Sequence, residues 1–242
     1  MVSHFGEVVF PSSRAFWDDK DEYEPVEDVT SSRLFLHWQK NKPELIKKFI
    51  VIEGDPLIRN IFLTFVEHCL CHNVEEACII KDENDKKVSI IYEIDKQLYV
   101  CTILQQFNIK DAGILINEIS NLLLNTESII AIVCRHISQF QSSNVPDDPS
   151  FLRILTTKNI NSECKIKTLE QPNIIFGVGA GVLSYAEFIN MSAKLYILYI
   201  DGFVLDSKCA EPIVKILNSE IPGKLQRFKF AENFFSKGNL YM

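Results

Sequence analysis

The chain reads as an α/β protein with a single three-layer α/β/α domain around a mixed central sheet, followed by a flexible C-terminal tail. Three observations predict this. Solid apolar runs of strand length recur along the chain, as at residues 49–52, 129–134 and 195–200. Segments with apolar residues at helical i, i+3, i+4 spacing alternate with them. Between residues 77 and 104, shorter runs are separated by charged turns. Strands buried on both faces and interleaved with amphipathic helices are the pattern of a sheet covered on two sides.

Taken in order, residues 5–10 read as a short strand. An acidic stretch within 12–32 follows (Asp18, Asp19, Asp21, Glu22, Glu24, Glu27 and Asp28). It lacks periodicity and is expected to be exposed and mobile. Residues 34–38 and 49–52 read as strands. The second runs into Glu53-Gly54-Asp55-Pro56, where Asp55 suits an N-cap and Pro56 the first helical position. Leu57, Ile58, Ile61, Phe62, Phe65, Val66, Cys69 and Leu70 then mark one face of a helix. Residues 77–80, 88–94 and 97–104 form a β-meander. Asp111 is placed to cap a second helix whose buried face holds Ile114, Leu115, Ile119, Leu122 and Leu123. After the strand at 129–134, residues 138–149 read as loop. Ile174-Ile175-Phe176 is strand-like, and Gly177 to Gly181 reads as a glycine-rich turn. A third helix over about 182–191, a strand at 195–200 and a fourth helix over about 206–220 complete the domain. Its expected bounds are 1–221, with 222–242 as tail.

Composition narrows the function. The chain has 242 residues, is 47% hydrophobic and carries a net charge of −7. It can bury a large core, and it lacks the basic footprint that nucleic-acid binding needs. Its longest apolar runs fall far short of the ~20 residues of a membrane helix. The first residues lack the basic start and apolar stretch of a signal peptide. Seven cysteines without framework spacing point to reduced thiols, hence to the cytoplasm or nucleus. Cys78, Cys101 and Cys134 lie in apolar runs and read as small core residues.

Motifs for chemistry are weak. The order strand, Gly177-Val178-Gly179-Ala180-Gly181, helix, strand, Asp201 imitates a dinucleotide-binding unit, but Val182 stands where the fingerprint needs glycine. A nucleotide-binding protein or enzyme built on this turn is therefore the alternative reading. His68, Cys69, Cys71 and His72 crowd one helical turn, which cannot close a tetrahedral zinc site, so no metal is expected. No Gly-x-Ser-x-Gly elbow is present, Ser184 reads as an ordinary helical residue, and His136 is a lone histidine without an identifiable partner. No catalytic residue and no cofactor is expected.

The last three residues, Leu240-Tyr241-Met242, end a basic-leaning tail behind the loose pair Gly238-Asn239. An apolar side chain, a tyrosine hydroxyl and a terminal carboxylate together have the chemistry of a docking peptide.

Leu169-Glu170-Gln171-Pro172-Asn173-Ile174, followed by Val182-Leu183-Ser184-Tyr185, resembles the signature stretch of the proteasome assembly chaperone 1 family. The likeness extends to Phe151-Leu152-Arg153, residues 195–201, Cys134-Arg135-His136, Lys48-Phe49-Ile50 and Phe5-Gly6-Glu7-Val8-Val9. It is dense from 151 to 201 and thin between 75 and 104. The resemblance implies a non-enzymatic chaperone that pairs with proteasome assembly chaperone 2 and holds the α-subunits of the 20S proteasome. It implies promotion of correct α-ring formation, suppression of off-pathway ring dimerisation, and a tail whose Leu240, Tyr241 and Met242 insert between α-subunits. Gly177 to Gly181 is richer in glycine than the family pattern, which implies a more flexible connection there.

Overall fold

The structure is a computed structural model that describes residues 32–55, 74–142, 144–158, 166–202 and 207–221, all within one compact unit. An eight-stranded sheet has the order β1-β3-β4-β5-β2-β6-β8-β7. Its strands are β1 (Phe35–Trp38), β2 (Ile46–Gly54), β3 (Glu75–Lys81), β4 (Lys87–Asp95), β5 (Leu98–Ile103), β6 (Thr126–His136), β7 (Ser150–Thr156) and β8 (Ala193–Ile200). The α-helices among the described residues are α1 (Ala112–Leu124), α2 (Val178–Phe188) and α3 (Ser207–Glu220).

The middle of the sheet is parallel, with β2 between β5 and β6 and β8 beyond β6. These strands are the ones whose sequences are apolar on both faces. Phe49 and Val51 enter one core with Leu115, Ile119 and Leu122 of α1 and Val178 and Val182 of α2. Ile50 and Ile52 enter the opposite core with Ala210, Ile213 and Leu217 of α3. The fold is thus α/β in three layers around a mixed sheet. The antiparallel parts lie outside: the β3-β4-β5 meander ends in β1, and β7 closes the other side against β8. β2 and β6 both run several residues beyond the apolar stretches that announce them.

Three expectations are corrected and one strand is added. Asp111 occupies the N-cap position of α1 but makes no capping bond, because it is itself the last residue of a 3-10 turn, with φ −87° and ψ 8° where a cap has extended backbone; Asn108 caps that turn, accepting from the Lys110 N–H. The segment 174–176 is no strand: it leaves the sheet after a single bridge between Ile154 and Thr168. α2 begins at Val178, so Gly179 and Gly181 are helical, and only Gly177, with φ of 99°, performs a turn. The implied flexible connection is therefore a helix packed against β6 and α1. Lastly, the 138–149 loop leads into β7, a strand that periodicity does not announce.

The strand-like residues 5–10, the acidic segment, the helix over 57–70 and the tail lie outside the described residues.

Candidate functional site

Two charges that end apolar strands meet at the first turn of α2. Glu53 closes β2 and Arg135 lies near the end of β6, with side chains 1% and 2% exposed. They share adjacent parallel strands, with Gly54 beside Cys134. Arg135 Nη2 donates to Glu53 Oε1 at 3.0 Å and to the Phe176 carbonyl at 2.8 Å, and Nη1 donates to the Cys134 carbonyl. The Gly179 N–H at the start of α2 donates to Glu53 Oε2 at 2.8 Å. A helix N-terminus attracts negative charge, and here the chain's own carboxylate supplies it.

Space around this helix start is tight, and glycines occupy it. A Cβ on Gly177 would fall on Glu53, and its positive φ disfavours other residues as well. A Cβ on Gly179 would overlap Val133 of β6, and one on Gly181 would overlap Ile116 of α1. Each helical glycine carries a propensity penalty of about 1 kcal/mol, accepted here for close approach of helix to sheet.

A second arginine anchors the preceding residues. Arg153 of β7 grips Glu170 through Nε (2.7 Å) and Nη2 (3.1 Å), and its guanidinium lies over Phe151 and Phe140. These hydrogen bonds hold the Glu170 carboxyl down to about 2, well below its ordinary value. Phe140, Phe151 and Tyr199 pack ring to ring beneath, and burial pushes the Tyr199 hydroxyl up to about 12. Between the two arginines, Asn173 fastens the chain. Its Oδ1 accepts from the Gln141 N–H, and its Nδ2 donates to the Gln141 and Glu170 carbonyls.

These contacts bear on the nucleotide reading. The Gly179 N–H at the helix start, where a phosphate would sit, is already given to Glu53, and no strand leads into the glycines. Asp201 sits exposed beyond β8, its N–H given to the Pro149 carbonyl. His136 is tied between Ser138 and the Asp201 carbonyl. Ser184 is a residue of α2. Cys78, Cys101 and Cys134 are buried free thiols, with burial pushing all three up, Cys101 to about 11. Among the described residues, no three His, Cys, Asp or Glu side chains are placed to share a metal ion. His68, Cys69, Cys71, His72, Leu240, Tyr241 and Met242 lie outside them.

Sequence reasoning passed over Glu53, Arg135, Arg153 and Glu170 as functional positions. For Glu53, Arg135 and Arg153 the available signal was a charge embedded at the end of, or within, an otherwise apolar run; Glu170 lies in a polar stretch and carries no such signal.

What this arrangement provides is a surface tied to the sheet at both ends. Arg135 and Arg153 hold the 169–177 connection against the sheet while it turns Ile174 outward, 83% exposed, beside a half-exposed Phe176.

A family model named PAC1 and described as proteasome assembly chaperone 4 matches residues 70–235, more than half of the chain. Curated relatives named proteasome assembly chaperone 1 include the human protein, 37% identical over 93 residues, or 38% of this chain and 32% of that one. The chain thus spans about a third of the length of the mammalian relatives it matches. A Nematostella vectensis protein of the same name is 23% identical over 195 residues, covering 70% of this chain and 73% of its own. Among solved structures, a Thermoplasma acidophilum protein of unknown function has a TM-score of 0.55 at 12% identity, covering 76% of this chain and 80% of that one. Pyrococcus furiosus PbaA, an archaeal homolog of proteasome-assembly chaperone, reaches 0.54 at 12% identity, with coverage of 78% and 82%. Such low identities speak for the fold alone. The family assignment rests on the match across residues 70–235, and by it the chain belongs to the PAC1 family of proteasome assembly chaperones.

Proposed function

We propose that this chain is a chaperone of 20S proteasome assembly that acts by binding and performs no catalysis of its own. Membership of the family over residues 70–235 is the observation that carries the reading. The filled N-terminus of α2 supports it against a nucleotide-dependent enzyme.

In this reading a domain of residues 1–221 pairs with a second assembly chaperone, chaperone 2, and the pair holds α-subunits in the cytoplasm or nucleus. It promotes correct α-ring formation and blocks off-pathway ring dimerisation. The tail, 222–242, adds an anchor: Leu240 fills an apolar notch, the Tyr241 hydroxyl finds a hydrogen-bond partner, and the Met242 carboxylate pairs with a lysine between α-subunits. Tethering makes this second contact intramolecular, so a weak tripeptide raises avidity by ~100-fold.

The test is a titration of α-rings against the full chain, tagged at the N-terminus, and against a form lacking Leu240, Tyr241 and Met242. The shortened form is expected to bind ~100-fold more weakly while pairing normally with the second chaperone. Equal affinity of the two forms would remove the tail from the mechanism. Failure of the full chain to recover any proteasome subunit from an assembling extract would remove the proteasome.

A further inference from the structure

Hydrogen bonds stitch three segments into one surface at the carboxyl ends of the parallel strands. The Asp201 N–H donates to the Pro149 carbonyl, His136 Nε2 pairs with the Asp201 carbonyl, Asn173 is bound to Gln141, and Arg135 holds the Phe176 carbonyl. The loop leading into β7, the connection 173–177 and the end of β8 are therefore contiguous.

This surface combines two properties. It exposes Val145, Ile174 and Phe176, three of the large apolar side chains that the described residues leave in water. It is also acidic. Asp147, Asp148 and Asp201 are exposed, and residues 136–149, 173–177 and 201–202 contain no lysine or arginine. The arginines beneath them are committed, Arg135 to Glu53 and Arg153 to Glu170.

The connection is also held firmly. Exposure alternates residue by residue from Asn173 to Gly177, with Ile174 and Phe176 outward and Ile175 packed on the cluster of Phe140, Phe151 and Tyr199. Asn173 fixes its start and Arg135 its end. A surface fixed before its partner arrives loses little conformational entropy on binding.

We propose that this surface receives a segment of a protein partner that is basic and apolar, with its apolar side chains on Ile174 and Phe176 and its cations facing Asp147, Asp148 and Asp201. The charge of the surface chooses this class over an acidic segment. The proposal rests on the reading of the chain as a protein that works by binding other proteins.

The test places a photoreactive phenylalanine analogue at position 174 of the full chain. After irradiation in an extract competent for proteasome assembly, the cross-linked peptide is sequenced. The purified partner is then titrated against wild type, Ile174→Ser and Asp147→Lys/Asp148→Lys over a range of salt. The expected result is a cross-link to a segment rich in lysine or arginine and apolar residues. Either variant should then bind roughly 10-fold more weakly. The charge reversal should also flatten the salt dependence. Both variants should melt like wild type, because the altered side chains are exposed.

A cross-link to an acidic segment, or variants that bind like wild type, would overturn the proposal. So would the absence of a cross-link when the chain still recovers proteasome subunits, an outcome that leaves the function standing. If no proteasome subunit is recovered, the function falls, and the sequence of the cross-linked peptide still judges the surface.

Discussion

The two arginines that fasten the 169–179 connection do similar work in different solvents. Arg135 and Glu53 are both withdrawn from water, and the carboxylate also serves the first turn of α2. Arg153 is nearly as buried, but its partner Glu170 is 22% exposed and shares an oxygen with Lys167. In the first pair either partner, left alone, is a buried charge with only backbone dipoles to offset it. In the second, water and a nearby lysine can stand in. The difference teaches that a pair's value here is set by what its loss would strand, more than by the contact itself.

The largest loss is expected from Glu53→Ala. It strands the Arg135 guanidinium and should lower unfolding free energy by about 3–5 kcal/mol in denaturant titrations. The double variant Glu53→Met/Arg135→Met should recover a large part of that loss, because it removes both charges while filling volume. A double variant no more stable than the single one would mean that the pair is needed for its own sake.

A smaller effect is expected from Gly179→Ala. The added methyl meets Val133 and pushes the helix off the carboxylate it caps, at roughly 1–3 kcal/mol. Pairing it with Val133→Ala should return most of the stability. If Gly179→Ala were instead stabilising, the helix would be free to shift and close approach would not explain the glycine.

The smallest effect belongs to Glu170→Gln, about 1 kcal/mol at neutral pH. Its pH dependence carries a sign. The folded-state carboxyl lies near 2 against an ordinary 4.5, so its contribution is complete above about 4.5 and disappears as pH falls toward 2. Wild type and variant should therefore differ by a constant amount above pH 4.5 and converge near pH 2 in acid unfolding curves. A difference that persists at pH 2 would assign the effect to packing over Phe140 and Phe151 instead.

How much of this was legible follows from range. The cores of β2, β6 and β8 announce themselves because burial on both faces leaves only apolar residues there. The buried face of α1 follows from Leu115, Ile119 and Leu122, which return at helical intervals. Local signals fail where a tertiary neighbour decides. Gly179 and Gly181 look like a turn until Val133 and Ile116 are seen to crowd the place of a Cβ. β7 carries Ser150 and Arg153 within a short apolar stretch, and its strand character comes from pairing with β8. Glu53 and Arg135 stand 82 residues apart, and no periodicity joins them.

The place of β2 in the sheet has a kinetic consequence. It pairs with β5 on one side and β6 on the other, both made much later in the chain. A nascent chain thus carries Phe49 to Ile52 as an unpaired apolar strand until the meander and then β6 have been synthesised. Non-local parallel pairing of this kind folds slowly and exposes aggregation-prone edges meanwhile. A protein that belongs to a family of assembly chaperones thus carries an unpaired apolar strand of its own while it is being made.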